Sequence, residues 1–417
     1  MKILTIVEAQ RRQNLQILFV AGLLFWSGLA SLLPALPQYV EDVGGTKQQV
    51  GIVMGSFAIG LLLLRTTLGR MADQRSRKLV VIIGASVAAI APLGYLFVHS
   101  IAGLIALRAF HGVSIAAFTT GYSALVVDLS PVDKRGELIG YMSLVNPIGM
   151  ALGPAIGGFL QAGVGYTPLF LFAGGLGGLS LLFTSQVSEP EREVLRHSAT
   201  SDAPSTSMWR LVLSPRLRVA ALVFLLVGLS FGALGTFVAL FIRESGVNLN
   251  PGLFFTAAAI ASFSLRIFSG PASDKYGRGL FITGSLVCYG IAMFVLSQAN
   301  SPQAFLLAGF IEGAGSGMLI PMMVALISDR SFSNERGRVF AICVGGFDLG
   351  IAIAGPVFGA VAEVLTYRGI FSLATGLAGL ALVVFMTQCN KNLSSSLRFA
   401  LGRDRDLYAV DHSKFPV

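Results

Sequence analysis

Twelve long apolar runs dominate the sequence, separated by short polar stretches or stretches rich in turn-forming residues. The runs begin near residues 15, 48, 79, 101, 136, 167, 217, 250, 279, 302, 335 and 368. A helix of roughly 20 apolar residues crosses the hydrocarbon core of a bilayer. Continuous runs such as LVVIIGASVAAIAPLGYLFV exclude a transmembrane β-barrel, whose strands alternate in polarity. The sequence therefore predicts an all-α membrane protein with twelve transmembrane helices, spans 1 to 12.

Composition supports the same class. Of the 417 residues, 54% are hydrophobic and 12% are charged, whereas about 25% are charged in soluble domains. The three cysteines are Cys288, Cys343 and Cys389, and their spacing is not that of metal ligands. We therefore expect no disulfide, no metal site and no cofactor.

The distribution of Lys and Arg predicts the orientation. Loops on one side of the predicted bundle, together with both termini, contain 24 of the 30 bases, and the other side contains only Lys47, Arg243 and Arg368. Because bases accumulate in cytoplasmic loops, both termini are predicted to be cytoplasmic. The net charge of +9 then reflects topology, so nucleic-acid binding is not expected. The first sixteen residues lack the pattern of a removable signal peptide.

The second half of the chain repeats the first at an offset of 201 residues. Charged residues as well as glycines recur at this offset, as in Arg65 with Arg266 and Gly112 with Gly313. Parallel repeats of six helices are a recurring transporter architecture, with the substrate site between the halves. The predicted domains are a six-helix half over 1–187, a cytoplasmic linker over 188–215, a six-helix half over 216–388 and a cytoplasmic tail over 389–417.

Two loop motifs carry a family resemblance. The segment GRMADQRSRK (69–78) lies between spans 2 and 3, and GPASDKYGR (270–278) lies between spans 8 and 9. Both are similar to the signature loop of the major facilitator superfamily, although Ser76 stands where that family usually has a glycine. The resemblance covers all twelve spans and implies two pseudo-symmetric six-helix bundles.

The resemblance also implies a conformational latch in these loops. Gly69 is expected to end span 2 where another helix passes closely, and Asp73 to face the positively polarised amino terminus of span 11. Bases of the loop would pair with Asp128. The latch residues predicted in this way are Gly69, Asp73, Arg77, Asp128 and Arg135 in the first half and Gly270, Asp274, Arg278, Asp329 and Arg336 in the second.

Span 5 contains GMALGPAIGG (149–158), which resembles a signature of the exporting branches of the superfamily. Small residues spaced by four let helices approach closely, and a proline bends a helix because it lacks a backbone donor. We therefore expect a hinge along the interface between the halves. Its residues are Gly149, Gly153, Pro154, Gly157 and Gly158.

Four ionisable residues in the apolar runs of spans 4, 10 and 11 are candidates for proton coupling, because such residues are costly in a membrane. Arg108 and His111 in span 4 resemble the family's R-x-x-Q-G motif, with histidine replacing glutamine. Glu312 in span 10 occupies the register of His111, and Asp348 lies in span 11. The structural alternative is that Arg108 pairs permanently with an acid and Asp348 caps a local kink.

The lining of the substrate cavity is predicted from the resemblance, which assigns it to spans 1, 4, 7 and 10. The candidate contacts are Trp26, Tyr122, Phe231 and Met318, each of which is also compatible with simple packing. Pro34 and Pro37 at the end of span 1 resemble the drug-efflux branch. An apolar lining suits an amphipathic organic compound better than a sugar.

The leading functional prediction is a secondary active transporter that exports a small organic compound in exchange for protons by alternating access. The alternative is a proton-coupled uptake symporter for a sugar, organic acid or peptide. An intramembrane enzyme is less favoured, because no nucleophile-base spacing and no nucleotide-binding loop is present in the sequence. We expect a monomer in the plasma (inner) membrane of a bacterium.

Overall fold

A computed structural model describes residues 9–131, 134–189, 213–332 and 336–410 of the chain. Most of the predicted linker lies outside these ranges. Asp274 and Arg336 are two of the predicted latch residues. Both belong to helices, but the structure does not describe their side chains. Within the described ranges the chain forms fifteen helices and no strand.

The helices are labelled in chain order. They are α1 (Ala9–Ser31), α2 (Leu36–Asp42), α3 (Lys47–Gln74), α4 (Arg77–Gly94), α5 (Ile101–Leu129), α6 (Arg135–Met142), α7 (Val145–Val164), α8 (Tyr166–Ser185), α9 (Arg218–Glu244), α10 (Pro251–Tyr276), α11 (Arg278–Gln298), α12 (Pro302–Asp329), α13 (Arg336–Ala362), α14 (Tyr367–Gln388) and α15 (Leu393–Ala400).

The prediction of twelve spans is confirmed, because twelve helical segments among the described residues are long and apolar enough to cross a membrane. Helices α1 and α2 together form the first span, and α6 and α7 form the fifth. The first helix already includes Ala9, the first residue that the structure describes, six residues before the predicted start. This stretch contains Arg11 and Arg12, so it is helical without being apolar and hydropathy does not detect it.

Polar caps mark the beginnings of several spans. Thr46 forms a capping box with Gln49 before α3, and the hydroxyl groups of Ser76, Ser100 and Ser301 accept backbone N–H groups at the starts of α4, α5 and α12. Each cap satisfies a donor that the helix itself leaves unpaired. These short polar signals therefore stabilise the first turns of the four helices.

The chain forms two compact units. Unit 1 comprises Met1–Ser198, Val238–Glu244 and Asn248–Thr256, and unit 2 comprises Ala199–Phe237, Ser245–Val247 and Ala257–Val417. The end of α9 and the start of α10 thus belong to unit 1. Below, the basic end of a unit is the end with the Lys- and Arg-rich loops, and the base-poor end is the opposite one.

The repeat is visible in the helix packing of each unit. In unit 1, a Cβ built on Gly112 of α5 would lie 1.8 Å from the carbonyl oxygen of Phe57 on α3. In unit 2, a Cβ on Gly313 of α12 would lie 1.8 Å from the carbonyl oxygen of Ala258 on α10. Any side chain would force these helices apart. Gly112 and Gly313 are 201 residues apart, and so are Phe57 and Ala258. The same close crossing therefore occurs in both units.

The third and fourth spans pack against each other in each unit, α4 with α5 and α11 with α12. In unit 1 the core includes Phe118 of α5, whose ring stacks on that of Phe25 with centroids 3.8 Å apart. In unit 2, α11 and α14 also pack together, and the short α15 packs on both. These contacts hold the embedded residues of spans 4 and 10 in fixed positions.

One prediction about the loop motifs is wrong in its local structure. Helix α3 does not end at Gly69 but continues to Gln74. A Cβ built on Gly69, or on its repeat Gly270, would meet no atom within 4 Å. Helix α4 begins only three residues after α3 ends, because the hydroxyl of Ser76 caps it.

Candidate functional site

A buried polar cluster lies in unit 1 around His111. This side chain is fully buried, and its Nδ1 lies 3.2 Å from the hydroxyl of Tyr95 and 3.4 Å from a terminal guanidinium nitrogen of Arg108. The guanidinium also stacks 4.3 Å from the ring centroid of Phe57. Because arginine only donates, Nδ1 acts as the acceptor, and a neutral ring carries its proton on Nε2. Arg108 thus contacts a histidine and an aromatic ring, and in the described part of the chain it forms no ion pair.

Unit 2 contains a corresponding site around Glu312. This side chain is 3% exposed, and its Oε1 has no hydrogen-bond partner among the described residues. The hydroxyl groups of Tyr289 and Ser316 lie beside the carboxyl. Tyr289 comes from span 9 and Glu312 from span 10, just as Tyr95 follows span 3 and His111 lies in span 4. Each unit therefore places a tyrosine next to the embedded ionisable residue.

Asp348, the fourth embedded residue, lies in α13 and is partly buried. The neighbouring Phe347 packs against Phe224 and Phe231, with ring centroids 6.1 and 5.6 Å apart. Asp348 therefore lies beside an aromatic cluster of unit 2, on a different span from Glu312.

The four predicted cavity residues differ in their surroundings. Tyr122 is buried in the core of unit 1, where its hydroxyl donates to the carbonyl oxygen of Met142 at 3.0 Å. Tyr122 therefore packs within this core. Trp26, Phe231 and Met318 are partly buried, and the role of all four residues as substrate contacts stays a prediction.

The glycine face of α7 packs against α1 of the same unit. A Cβ on Gly153 would lie 2.5 Å from the carbonyl oxygen of Ser27, and a Cβ on Gly157 would lie 2.0 Å from that of Ser31. A Cβ on Gly149 would lie 2.5 Å from the Cβ of Trp26. The close approach that the motif predicts is therefore present, and its partner along this face is span 1.

The remaining part of the motif contacts the start of span 8. A Cβ on Gly158 would lie 2.1 Å from the side-chain oxygen of Asn250, and a Cβ on Gly252 would lie 2.0 Å from the carbonyl oxygen of Pro154. Thr256 donates to the carbonyl oxygen of Ala151 at 2.9 Å. The two sides of the motif thus contact two different spans, span 1 along one side and span 8 at the base-poor end.

An ion-pair network lies at the base-poor end of unit 1. Arg243, near the end of α9, is 2.7 Å from a carboxylate oxygen of Asp42 and 3.7 Å from one of Glu41. The hydroxyl of Tyr166 donates to the other oxygen of Asp42 at 2.5 Å. Sequence reasoning missed this network, although Arg243 stood out as one of only three bases on that side.

A second ion pair at the same end joins Lys47 and Glu244 at 3.1 Å. Lys47 begins α3 and Glu244 ends α9. The end of span 7 is therefore bound to spans 1 and 2 by two neighbouring charged contacts.

The basic ends carry the predicted latch pairs. Arg77 contacts Asp128 in unit 1, and Arg278 lies 2.5 Å from Asp329 in unit 2. Asp73 is exposed, and its predicted contact with span 11 stays a prediction. Arg135 begins α6, and its Nε has no hydrogen-bond partner among the described residues.

A carboxylate does lie at a helix amino terminus in this region, but it belongs to Glu189. This residue accepts the backbone N–H of Arg77 at 2.8 Å and the hydroxyl of Ser76 at 2.5 Å. An acid at this position is stabilised by the helix dipole and by the unpaired N–H groups. Only the tertiary structure reveals it, because Glu189 follows span 6 and caps span 3.

Comparisons with known proteins agree with this architecture. Residues 18–254 and 248–398 match the sequence profile of the Major Facilitator Superfamily. The chain is 26% identical over 386 residues to the quinolone resistance protein NorA of Staphylococcus aureus, covering 89% of this chain and 96% of that protein. It is 29% identical over 375 residues to the multi-drug resistance efflux pump PmrA of Streptococcus pneumoniae, covering 87% and 93%.

Solved structures show the same fold at lower identity. The nucleoside transporter NupG superposes with a TM-score of 0.72 at 15% identity, covering 89% of this chain and 98% of that one. The human organic anion transporter MFSD10 superposes with a TM-score of 0.65 at 19% identity, covering 90% and 100%. The twelve spans, the repeated helix crossing and the sequence match together identify the chain as a member of the Major Facilitator Superfamily, an integral membrane transporter and not an enzyme.

Proposed function

We propose that this transporter exports small amphipathic organic compounds in exchange for protons by alternating access. The observation that carries the proposal is Glu312, a carboxyl in span 10 that is 3% exposed and has one oxygen without a hydrogen-bond partner among the described residues. Burying an ionised carboxylate without a counter-charge costs several kcal/mol. A change in the access of water to this carboxyl therefore favours uptake or release of a proton.

Two hydroxyl groups give the carboxyl of Glu312 polar neighbours. Those of Tyr289 and Ser316 lie beside it, in a span that is mostly apolar around this residue. In the other unit, the positively charged guanidinium of Arg108 lies next to the titratable ring of His111. We assign the coupling role first to Glu312 and Asp348, with Arg108 and His111 as a supporting site.

The direction of transport is inferred from two observations. The relatives aligned along nearly the whole chain are named for quinolone resistance and multidrug efflux. The glycine-rich motif of span 5 resembles a signature of the exporting branches. It packs closely against span 1 on one side and against the start of span 8 on the other, as a close-contact motif requires. Phe231 and Trp26 are partly buried aromatic groups that suit an apolar organic substrate.

Alternating access requires contacts that form in one state and break in the other. At the basic ends, we propose that Asp73, Asp128 and the bases around them act as the latch of the outward-open state. At the base-poor end, the pairs of Arg243 with Asp42 and of Lys47 with Glu244 must separate for that end to open. The two sets of contacts would then stabilise opposite states.

The remaining assignments follow from the charge distribution. With 24 bases on one side, the basic ends and both termini face the cytoplasm of a bacterium, and the protein lies in the plasma membrane as a monomer. The functional halves are 1–187 and 216–388, joined by the linker 188–215 and followed by the tail 389–417.

The test uses purified protein in vesicles with an imposed pH gradient and a fluorescent organic cation as the substrate. We expect Glu312→Gln to abolish gradient-driven accumulation while downhill exchange and substrate binding persist. Glu137→Gln removes an exposed acid from α6 and serves as the matched control. Export against a gradient by Glu312→Gln, Asp348→Asn and the double variant would rule out proton coupling through these acids. Accumulation in the same direction as proton flow would instead indicate a symporter.

A further inference from the structure

The tail after span 12 is folded onto unit 2. Arg330 is fully buried at the end of α12 and forms a two-pronged ion pair with Asp406, at 2.7 and 3.0 Å. The side chain of Asn390 donates to the carbonyl oxygen of Arg405 at 3.2 Å and accepts the backbone N–H of Leu407 at 3.2 Å. These contacts hold the short helix α15, Leu393–Ala400, in one orientation against the unit.

The position of α15 relative to the bilayer follows from the residues that it contacts on α11 and α14. Thr283 of α11 donates to the carbonyl oxygen of Ala400 at 2.9 Å, and the ring of Phe399 lies 6.3 Å from that of Phe385 on α14. Helices of the lengths of α11 and α14 are about 31–33 Å long and match a bilayer core of about 30 Å. Thr283 and Phe385 both lie within two turns of the basic-end termini of these helices. Helix α15 therefore lies at the level of the membrane surface.

The two sides of α15 differ sharply. One side, with Ser395, Ser396, Phe399 and Ala400, is buried against unit 2. The other side carries leucines at intervals of four residues, so that they lie in a row. These leucines are Leu393, which is 56% exposed, Leu397, which is partly buried, and Leu401 directly after the helix, which is 44% exposed.

Bases lie beside this apolar row. Lys391, Arg398 and Arg403 are exposed, and so is Arg405. Two acids of the same segment already have partners, since Asp406 pairs with the buried Arg330 at the end of α12 and Asp404 lies 3.7 Å from Arg398. The face thus combines exposed leucines with positive charge, which is the pattern of a helix lying in the headgroup region of an anionic membrane.

We propose that α15 is an interfacial helix that binds the anionic phospholipid surface next to unit 2. The row of Leu393, Leu397 and Leu401 enters the boundary between headgroups and acyl chains, and Lys391, Arg398 and Arg403 bind lipid phosphates. The helix directly follows a span that ends at Gln388, so the membrane lies within its reach. This role does not depend on the direction of transport or on proton coupling.

The first measurement places a fluorophore on α15 in the full-length protein. Leu393→Cys is labelled in a variant with Cys288 replaced by alanine, while Cys343 and Cys389 are buried. Burial also raises the pKa of the Cys389 thiol to about 11, which suppresses its reaction at neutral pH. The protein is reconstituted into phosphatidylglycerol or phosphatidylcholine vesicles that contain nitroxide-labelled lipid.

We expect at least two-fold stronger nitroxide quenching in phosphatidylglycerol than in phosphatidylcholine, with loss of that difference in Lys391→Gln/Arg398→Gln. The matched control is Arg70→Gln/Arg75→Gln, which removes two exposed bases of unit 1 and should retain the difference. Equal quenching in both lipids would contradict the proposal. So would a label that iodide in the water quenches as strongly in vesicles as in detergent, because the face would then be free for a soluble partner.

Discussion

Arg278 begins α11 and Asp329 ends α12, and the guanidinium of the first lies 2.5 Å from the carboxylate of the second. The pair therefore joins the basic-end termini of two packed spans. At the offset of 201 residues, Arg77 and Asp128 form the same contact between α4 and α5. The repeated pair shows that each half positions its loop motif by the same local interaction.

The two copies differ in exposure, which predicts different energetic effects. The Arg77 and Asp128 side chains are 19% and 20% exposed, whereas those of Arg278 and Asp329 are 25% and 40% exposed. We expect Asp329→Asn to cost about 1 kcal/mol or less, and Asp128→Asn to lower the melting temperature further. Thermal unfolding of the purified variants checks the order. Equal melting temperatures would show that burial does not strengthen the first pair.

The glycine face of α7 offers an internal control. A Cβ on Gly157 would lie 2.0 Å from the carbonyl oxygen of Ser31, whereas a Cβ on Gly163 of the same helix would meet nothing within 4 Å. We expect Gly157→Ala to destabilise the protein by about 1–3 kcal/mol because α1 must move away. Gly163→Ala should be neutral or slightly stabilising. Thermal unfolding and substrate efflux from cells measure both effects, and similar results for the two variants would refute the contact.

The network around Arg243 predicts a change in access at the base-poor end. Removing this guanidinium in Arg243→Gln leaves Asp42 with Tyr166 as its partner and frees Glu41. We expect the end to open more often, by about two- to ten-fold, since a partly exposed charged contact contributes about 1 kcal/mol.

Alkylation of a cysteine introduced at Thr256, whose hydroxyl bonds to α7, reports this opening. Arg368→Gln is the matched control, because Arg368 is another base on that side and donates to the carbonyl oxygens of Ser297 and Ala299. Unchanged alkylation of the Arg243 variant would contradict the prediction.

The buried pair of Arg330 and Asp406 predicts a large stability effect in the tail. Their side chains are 0% and 10% exposed, and removing one partner of a buried pair costs about 3–5 kcal/mol. Asp406→Asn should therefore release the tail and make it sensitive to trypsin after Arg398 and Arg403. Asp404→Asn breaks the more exposed contact with Arg398 and should leave digestion unchanged. Equal resistance of the two variants to trypsin would show that the pair of Arg330 and Asp406 does not hold the tail in place.

Much of the architecture was predictable from sequence. Eleven of the twelve predicted span starts lie within two residues of the observed helices, as for α10, which begins at Pro251, and α12, which begins at Pro302. Hydropathy is sufficient here because the bilayer requires each span to be apolar over about 20 residues. The offset of 201 residues likewise pairs Gly112 with Gly313, and the structure places both at the same kind of close helix crossing.

The tertiary structure alone decided which residues meet. Sequence placed the glycines of span 5 at an interface, but only packing identifies Ser31 of span 1 as the partner of Gly157. The partners Arg243 and Asp42 lie 201 residues apart in the sequence, and the partners Arg330 and Asp406 lie 76 residues apart. No local sequence pattern links the two members of either pair. A span's own composition determines whether it enters the membrane, whereas a side-chain pair depends on how distant helices rotate and cross, because the bilayer leaves the rotation of each helix free until its neighbours pack.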